Sequence, residues 1–188
     1  MPGRWGYFVD KEPYDKICLP HHLLGSPKHL REAIRHEFMH DITLNLCSGH
    51  DPRWFAEAMA TLVEGRVNRA SWAYFQSVPR DWHGPTELVS AHASDHREAG
   101  SADAVTLAYD QSSFLALYLF QNGGVDKLKA LLHAIGDESL FHNLERIALG
   151  RTRADVALRH IYGWSEDELF HRTLRWIQSS DRIPEPAF

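Results

Sequence analysis

The chain has 188 residues, 44% of them hydrophobic and 11% aromatic, which suits one compact domain with a core of its own. A net charge of -5 and a charged fraction of 24% describe an ordinary soluble surface. No basic stripe offers a footprint for nucleic acid, and the acidic balance argues against anionic membranes.

Trp5 to Val9 and Lys16 to Leu19 are short β-prone runs on either side of the turn-like Asp10-Lys11-Glu12-Pro13, and they read as a hairpin. The start, Met1 to Trp5, lacks the apolar run of a signal peptide, and no later segment approaches transmembrane length. A cytoplasmic location is the expectation. Cys18 and Cys47 are too few for a disulfide framework and too far apart for a thiolate metal clip, so both are expected as reduced thiols.

Ser26-Pro27 supplies an N-cap followed by proline at the first helical position. From there to Leu46 the pattern is helical, with Leu30, Ile34, Phe38, Ile42 and Leu46 marking the stripe expected to be buried. Asp51-Pro52 repeats the cap-and-proline signal and opens a second helix running to about Arg69. Its aromatic neighbour, Trp72-Ala73-Tyr74-Phe75, is expected in the core. Ser77 to Ser101, with Pro79, Gly84, Pro85 and Gly100, reads as a long loop. Asp103 to Gln121 is strongly helical and closed by Gly123-Gly124. Helices follow near Val125 to Ile135, Ser139 to Leu149, Arg153 to Ile161 and Glu166 to Gln178, the last opened by the capping box Ser165-x-x-Glu168. The class is α+β, mainly α, with a small β element at the front.

Of 13 histidines, most are scattered, but His36 and His40 are not. His36-Glu37-Phe38-Met39-His40 is an H-E-x-x-H pattern inside the first strong helix. Four residues advance a helix by about 6 Å and slightly more than one turn, so both imidazoles leave one face and can share a tetrahedral ion. Glu37 stands one step round the helix, where a general base belongs. A catalytic zinc site needs a third protein ligand. Glu57 lies in Phe55-Ala56-Glu57-Ala58-Met59-Ala60, an apolar setting in which a carboxylate needs a cation or a metal. Two helices joined by a short loop pack antiparallel and bring Glu57 to the histidine face. Two imidazoles and a carboxylate suit one Zn²⁺ ion best, although cobalt and manganese also fit such donors.

His36 to His40 followed by Pro52-x-Trp54-Phe55-x-Glu57-x-x-Ala60 resembles the gluzincin metallopeptidases, and within them the peptidase MA-like group. Ala108-Tyr109-Asp110-Gln111-Ser112, Gly124-Val125-Asp126-Lys127-Leu128 and Gly163-Trp164-Ser165-x-x-Glu168-Leu169 are similar to that group as well. The resemblance spans about Trp5 to Ile177. It implies a zincin-like fold in a single domain: a small β element over 1–25, metal-binding helices over 26–76, a long loop over 77–102 and a helical part over 103–188. It implies zinc ligands His36, His40 and Glu57, with Glu37 as base and proton shuttle in the hydrolysis of peptide or protein substrates. Related families place a tyrosine or histidine facing the zinc as oxyanion donor. Tyr109 is the candidate here, followed by His92 and His96. Two departures stand out. The third ligand lies in Ala56-Glu57-Ala58 rather than Asn-Glu-Gly. Thr61 replaces the aspartate that thermolysin-like enzymes place four residues later, so support for the histidines must come from elsewhere. A scaffold that binds metal and a partner without turnover, and a helical domain with no metal, remain the alternatives.

Overall fold

The computed structural model describes residues 7–9, 16–65, 67–93 and 102–184. Its front is a two-stranded antiparallel sheet of β1 (Tyr7–Val9) and β2 (Lys16–Cys18), paired Tyr7 to Cys18, Phe8 to Ile17 and Val9 to Lys16. Both strands lie against α1 (Pro27–Leu46). The remaining described structure is helical, so the mainly α expectation holds. No described helix is long and apolar enough to cross a membrane.

The two helices that carry the H-E-x-x-H motif and Glu57 are α1 and α2 (Arg53–Glu64), which pack on each other. Ser26 precedes Pro27 at the start of α1, as read, although its side chain makes no capping bond. In α2 the start is shifted by one residue: Pro52 has extended backbone and occupies the cap, accepting from the N–H groups of Phe55 and Ala56 through its carbonyl. The expected helix to Arg69 is two helices. Gly65 adopts left-handed φ +78 and ends α2, a conformation that costs glycine least. Asn68 then caps α3 (Arg69–Ser77), its side chain accepting from the N–H groups of Ala70 and Ser71.

The buried face of α1 is the expected one only at its C-terminal end, where Ile42 and Leu46 pack against the core. Ile34 and Phe38 are 41% and 53% exposed, whereas Ala33, Glu37, Met39 and Thr43 are buried. The inward face instead carries small residues, with Ala33, Thr43 and Cys47 lying on the same side as the histidines. Small side chains let the facing helix, itself rich in Ala58 and Ala60, approach closely enough for Glu57 to reach α1.

The stretch 77–101 is also more structured than a loop. Pro79–Asp81 form a 3-10 turn and Pro85–Ala93 form α4, leaving 94–101 outside the described residues. Its ends are held by α5 (Ala102–Ile135) through side chains described below. Gly124 interrupts α5 with φ +64 and ψ -169, so the expected stop at Gly123-Gly124 is a break between two helical halves. The first half is the centre of the molecule: Phe114, Leu115, Ala116, Leu117 and Leu119 are all fully buried. A helix apolar on every side must be surrounded, and α2, α4, α7 (Arg153–Tyr162) and α8 (Glu166–Ser179) pack on it.

Before α7 comes α6 (Leu140–Leu149). The Ser165–Glu168 capping box at the start of α8 forms both of its bonds. Buried Glu166 accepts from Trp54 Nε1 at 3.1 Å and from Thr152 Oγ1 at 2.8 Å, tying α2 to the starts of α7 and α8. Trp72 and Phe75 are buried against Phe114 and Ile177, as expected of the aromatic run. Gly136 follows α5 where an added Cβ would lie 2.6 Å from the carbonyl oxygen of Leu46, so this position clamps the end of α1. Cys18 and Cys47 are free thiols, and burial, helped by Asp51, pushes Cys47 up to about 12.

Candidate metal centre

Four residues apart on α1, His36 and His40 turn their rings to the same side, with centroids 4.9 Å apart in an edge-to-face arrangement. Their Nε2 atoms are 3.2 Å apart. Glu57 reaches across from α2, placing Oε2 3.5 Å from Nε2 of His36 and 3.7 Å from Nε2 of His40. The three donor atoms lie within 4.8 Å of one another. The three side chains are 16%, 19% and 12% exposed, sheltered yet open on one side.

These separations can be set against the chemistry of an ion. Four ligands at the usual zinc bond lengths form a tetrahedron whose edges are about 3.3 Å. The triangle of His36, His40 and Glu57 has edges of 3.2, 3.5 and 3.7 Å. The tautomers agree as well. Nδ1 of His36 lies 3.2 Å from Oε2 of Glu64. A carboxylate only accepts, so Nδ1 carries a proton, and an ion that displaces the second proton would meet the Nε2 lone pair at the centre of the triangle. A lone pair, a second imidazole and a carboxylate converging on one point suit a dication.

The electrostatics without an ion show the same demand for positive charge. Burial works to lower His36, but hydrogen bonds and charge from Glu57 and Glu64 override it and raise the imidazole to about 9. Burial lowers His40, against the pull of Glu57 and with the help of His36 and Arg53. Burial works to raise Glu57, yet its bond to His36 and the charges of His40 and His36 bring it below the ordinary range. One proton thus serves two carboxylates, and a metal competes for that place.

Thr61 gives the histidines no support, since its hydroxyl donates to the carbonyl of Glu57 at 2.7 Å. Glu64 takes that part. It lies seven residues beyond Glu57, two turns along the same face of α2, and the sequence reading passed over it although that spacing signals it. Arg53 is on this stripe too, one turn before Glu57.

Around the triad stand three further groups. Glu37 is 4% exposed, one step round α1 from His36. Tyr109, half-buried on α5, feels the charges of Glu57, Arg53 and Glu37. Burial first and Glu57 next raise Tyr109, with Arg53 opposing, so it stays a neutral donor. His92 is 4% exposed on α4 and packs edge-on against Tyr109 at 4.7 Å between centroids. His96 lies outside the described residues.

The proton on His92 can be placed. Ser112 Oγ donates to the carbonyl of Ala108 at 3.0 Å, which leaves it an acceptor for Nε2–H of His92 at 2.9 Å. Nδ1 is then a buried lone pair without a hydrogen-bond partner among the described residues. Burial, with the charges of Arg53 and His83 and against Glu57, lowers the ring to about 4. In this neutral form Nδ1 has no proton to give an oxyanion, which ranks Tyr109 ahead of His92 as a donor.

Successive polar residues on α5 hold these parts in place. Asp110 accepts from Asn68 Nδ2 at 2.7 Å and Ser71 Oγ at 2.6 Å, anchoring the start of α3. Gln111 pairs with both backbone groups of His83, at 2.7 and 3.0 Å. Ser112 holds His92 of α4. All three are buried and satisfied, so Tyr109 sits at the head of a rigid polar row.

No protein family, curated protein or solved structure matches the chain.

Proposed function

We propose that the chain is a zinc-dependent hydrolase of peptide bonds, with the ion held by His36, His40 and Glu57 and with a zincin-like arrangement of α1 and α2. The observation that carries this reading is the triangle of three donor atoms within 4.8 Å, with the carboxylate of Glu37 buried one residue from His36. Zinc supplies, when bound, a Lewis acid for the scissile carbonyl.

The chain's own groups do the rest. Glu37 takes a proton from the attacking water and returns it to the nitrogen of the leaving amine. Tyr109 donates its hydroxyl hydrogen to the carbonyl oxygen as negative charge develops there, which its neutral state permits. Glu64 fixes the tautomer and the orientation of His36. A buried carboxylate beside a metal triad has little use in a module that only binds metal, and this favours turnover over the competing binding reading. What supports that competitor is the slight β element, two strands of three residues each, which offers little edge for a substrate backbone.

Metal content and cleavage of a mixed peptide library, measured for wild type and Glu37→Gln, test the proposal. The expected result is one equivalent of zinc in both proteins and cleavage reduced by roughly 10²- to 10⁴-fold in the variant. Zinc without Glu37-dependent cleavage would leave the binding module standing. Wild type free of metal would remove both.

A further inference from the structure

Arg53 is unexplained by folding. It is the first residue of α2, where the helix dipole disfavours a cation, and that first turn contains no acidic residue to compensate. It is exposed, while Trp54, Phe55 and Ala56 beside it are buried. Among the described residues no salt bridge engages its guanidinium, whose charge reaches Tyr109.

Its position is nonetheless determined. Arg53, Glu57 and Glu64 fall within about 40° of one another on the helical wheel, so Arg53 heads the stripe that supplies the third ligand and the partner of His36. Its charge acts on His40, His92 and Tyr109, three groups contributed by three different helices around the triad. An unpaired guanidinium at the rim of a metal triad is suited to an anion that arrives with the substrate. The planar fork matches a carboxylate in two-point contact.

We propose that Arg53 reads a carboxylate on the peptide substrate, located within two residues of the bond that is broken. This rests on the peptidase reading of the triad. The range follows from geometry: the four residues from Arg53 to Glu57 span about 6 Å along the axis, and an extended peptide advances about 3.3–3.6 Å per residue. The carboxylate is either the C-terminal group of a short peptide or an acidic side chain; both present the same two oxygens. The site therefore selects peptides that carry negative charge next to the scissile bond, while neutral ones gain nothing from the exposed guanidinium.

Three dipeptides capped at the N-terminus with a hydroxamate, which grips zinc independently of Arg53, serve as probes: Phe-Leu with a free carboxylate, Phe-Leu amide and Phe-Asp amide. Their binding is measured by calorimetry on the zinc-loaded chain and on Arg53→Gln. At least one carboxylate probe should bind wild type about tenfold or more tightly than Phe-Leu amide, as a charge-assisted pair implies. Whichever it is identifies an α-carboxylate or a side chain as the source. In Arg53→Gln that preference should vanish while the affinity for Phe-Leu amide is unchanged. Equal binding of all three by wild type, or a preference that survives Arg53→Gln, overturns the assignment. If wild type holds zinc and binds Phe-Leu amide, such a result touches Arg53 alone. If none of the three binds, the metal reading has failed and this inference falls with it.

Discussion

Glu64 and His36 are bonded on the side of the imidazole that faces away from the triad, Oε2 to Nδ1 at 3.2 Å. A carboxylate there holds the ring in the tautomer that offers Nε2 to an ion and makes that nitrogen more basic. Removing it leaves all three proposed ligands in place but loosens one of them. Glu64→Ala is expected to weaken zinc binding by about 10- to 100-fold, the range typical of such supports. Competition against a chelator of known affinity measures it, and an unchanged constant would show that His36 is oriented by packing alone.

Two of the proposed ligands belong to α1 and the third to α2, so an ion held by them would cross-link the two helices and stabilise the folded state. At a free zinc concentration 100 times the dissociation constant, the gain is about 2.7 kcal/mol. For a chain of this size that corresponds to a rise in melting temperature of roughly 5–10 °C. Thermal scans with zinc and with excess chelator should differ by that amount. The difference should disappear in Glu57→Gln; a variant that still gains stability from zinc would have its ion somewhere else.

His92 predicts a particular pH dependence. Burial and its neighbours lower its folded pKa from 6.5 to about 4. Between those two values the unfolded chain binds a proton that the folded chain refuses, so stability falls as pH falls through that window and is flat above 6.5 for this group. The drop is worth about 3 kcal/mol at full extent. His36, raised to about 9, acts in the other direction and above 6.5, losing its contribution as pH rises, so the windows do not overlap. Urea unfolding at pH 7 and pH 4 should show wild type losing about 3 kcal/mol more than His92→Gln, whose amide can still donate to Ser112. Parallel losses in the two proteins would mean that His92 is open to water.

The inward and outward faces of α1 make opposite forecasts for adjacent residues. Phe38 is 53% exposed and Met39 is 7% exposed. Phe38→Ser is expected to change stability by less than about 0.5 kcal/mol, as surface substitutions do. Met39→Ser opens a hole in the core and leaves a hydroxyl to satisfy, costing about 2–5 kcal/mol. Chemical denaturation ranks them; the reverse order would restore the fourfold apolar stripe as the buried one.

That stripe shows where reading from sequence stops. The helix itself, its proline start and the shared face of His36 and His40 follow from local rules, and the α1, α5, α7 and α8 boundaries fall within a few residues of the pattern. Which face of α1 turns inward does not. Ile34 and Phe38 are the more hydrophobic side, but the interior contact with α2 requires Ala33, Thr43 and Cys47 because the backbones must come close. The helix α4 was illegible for a different reason. Its own residues show little periodicity; Leu88 anchors it in the core, and its polar ties, Gln111 to His83 just before it and Ser112 to His92 within it, come from about 20 or more residues away on α5. Glu57 was visible as a carboxylate among alanines. Glu64 was not singled out, because two turns of helix separate it from the motif and its value appears only once His36 is opposite.

One helix, α2, holds both Glu57, the third proposed ligand, and Glu64, which is bonded to His36. The donor triangle and the proton on His36 therefore shift together whenever α2 slides or turns against α1. Enlarging Ala58 or Ala60, neither of which approaches the ion, would stretch two bonds at once, and metal affinity becomes a sensitive gauge of how tightly two helices are seated.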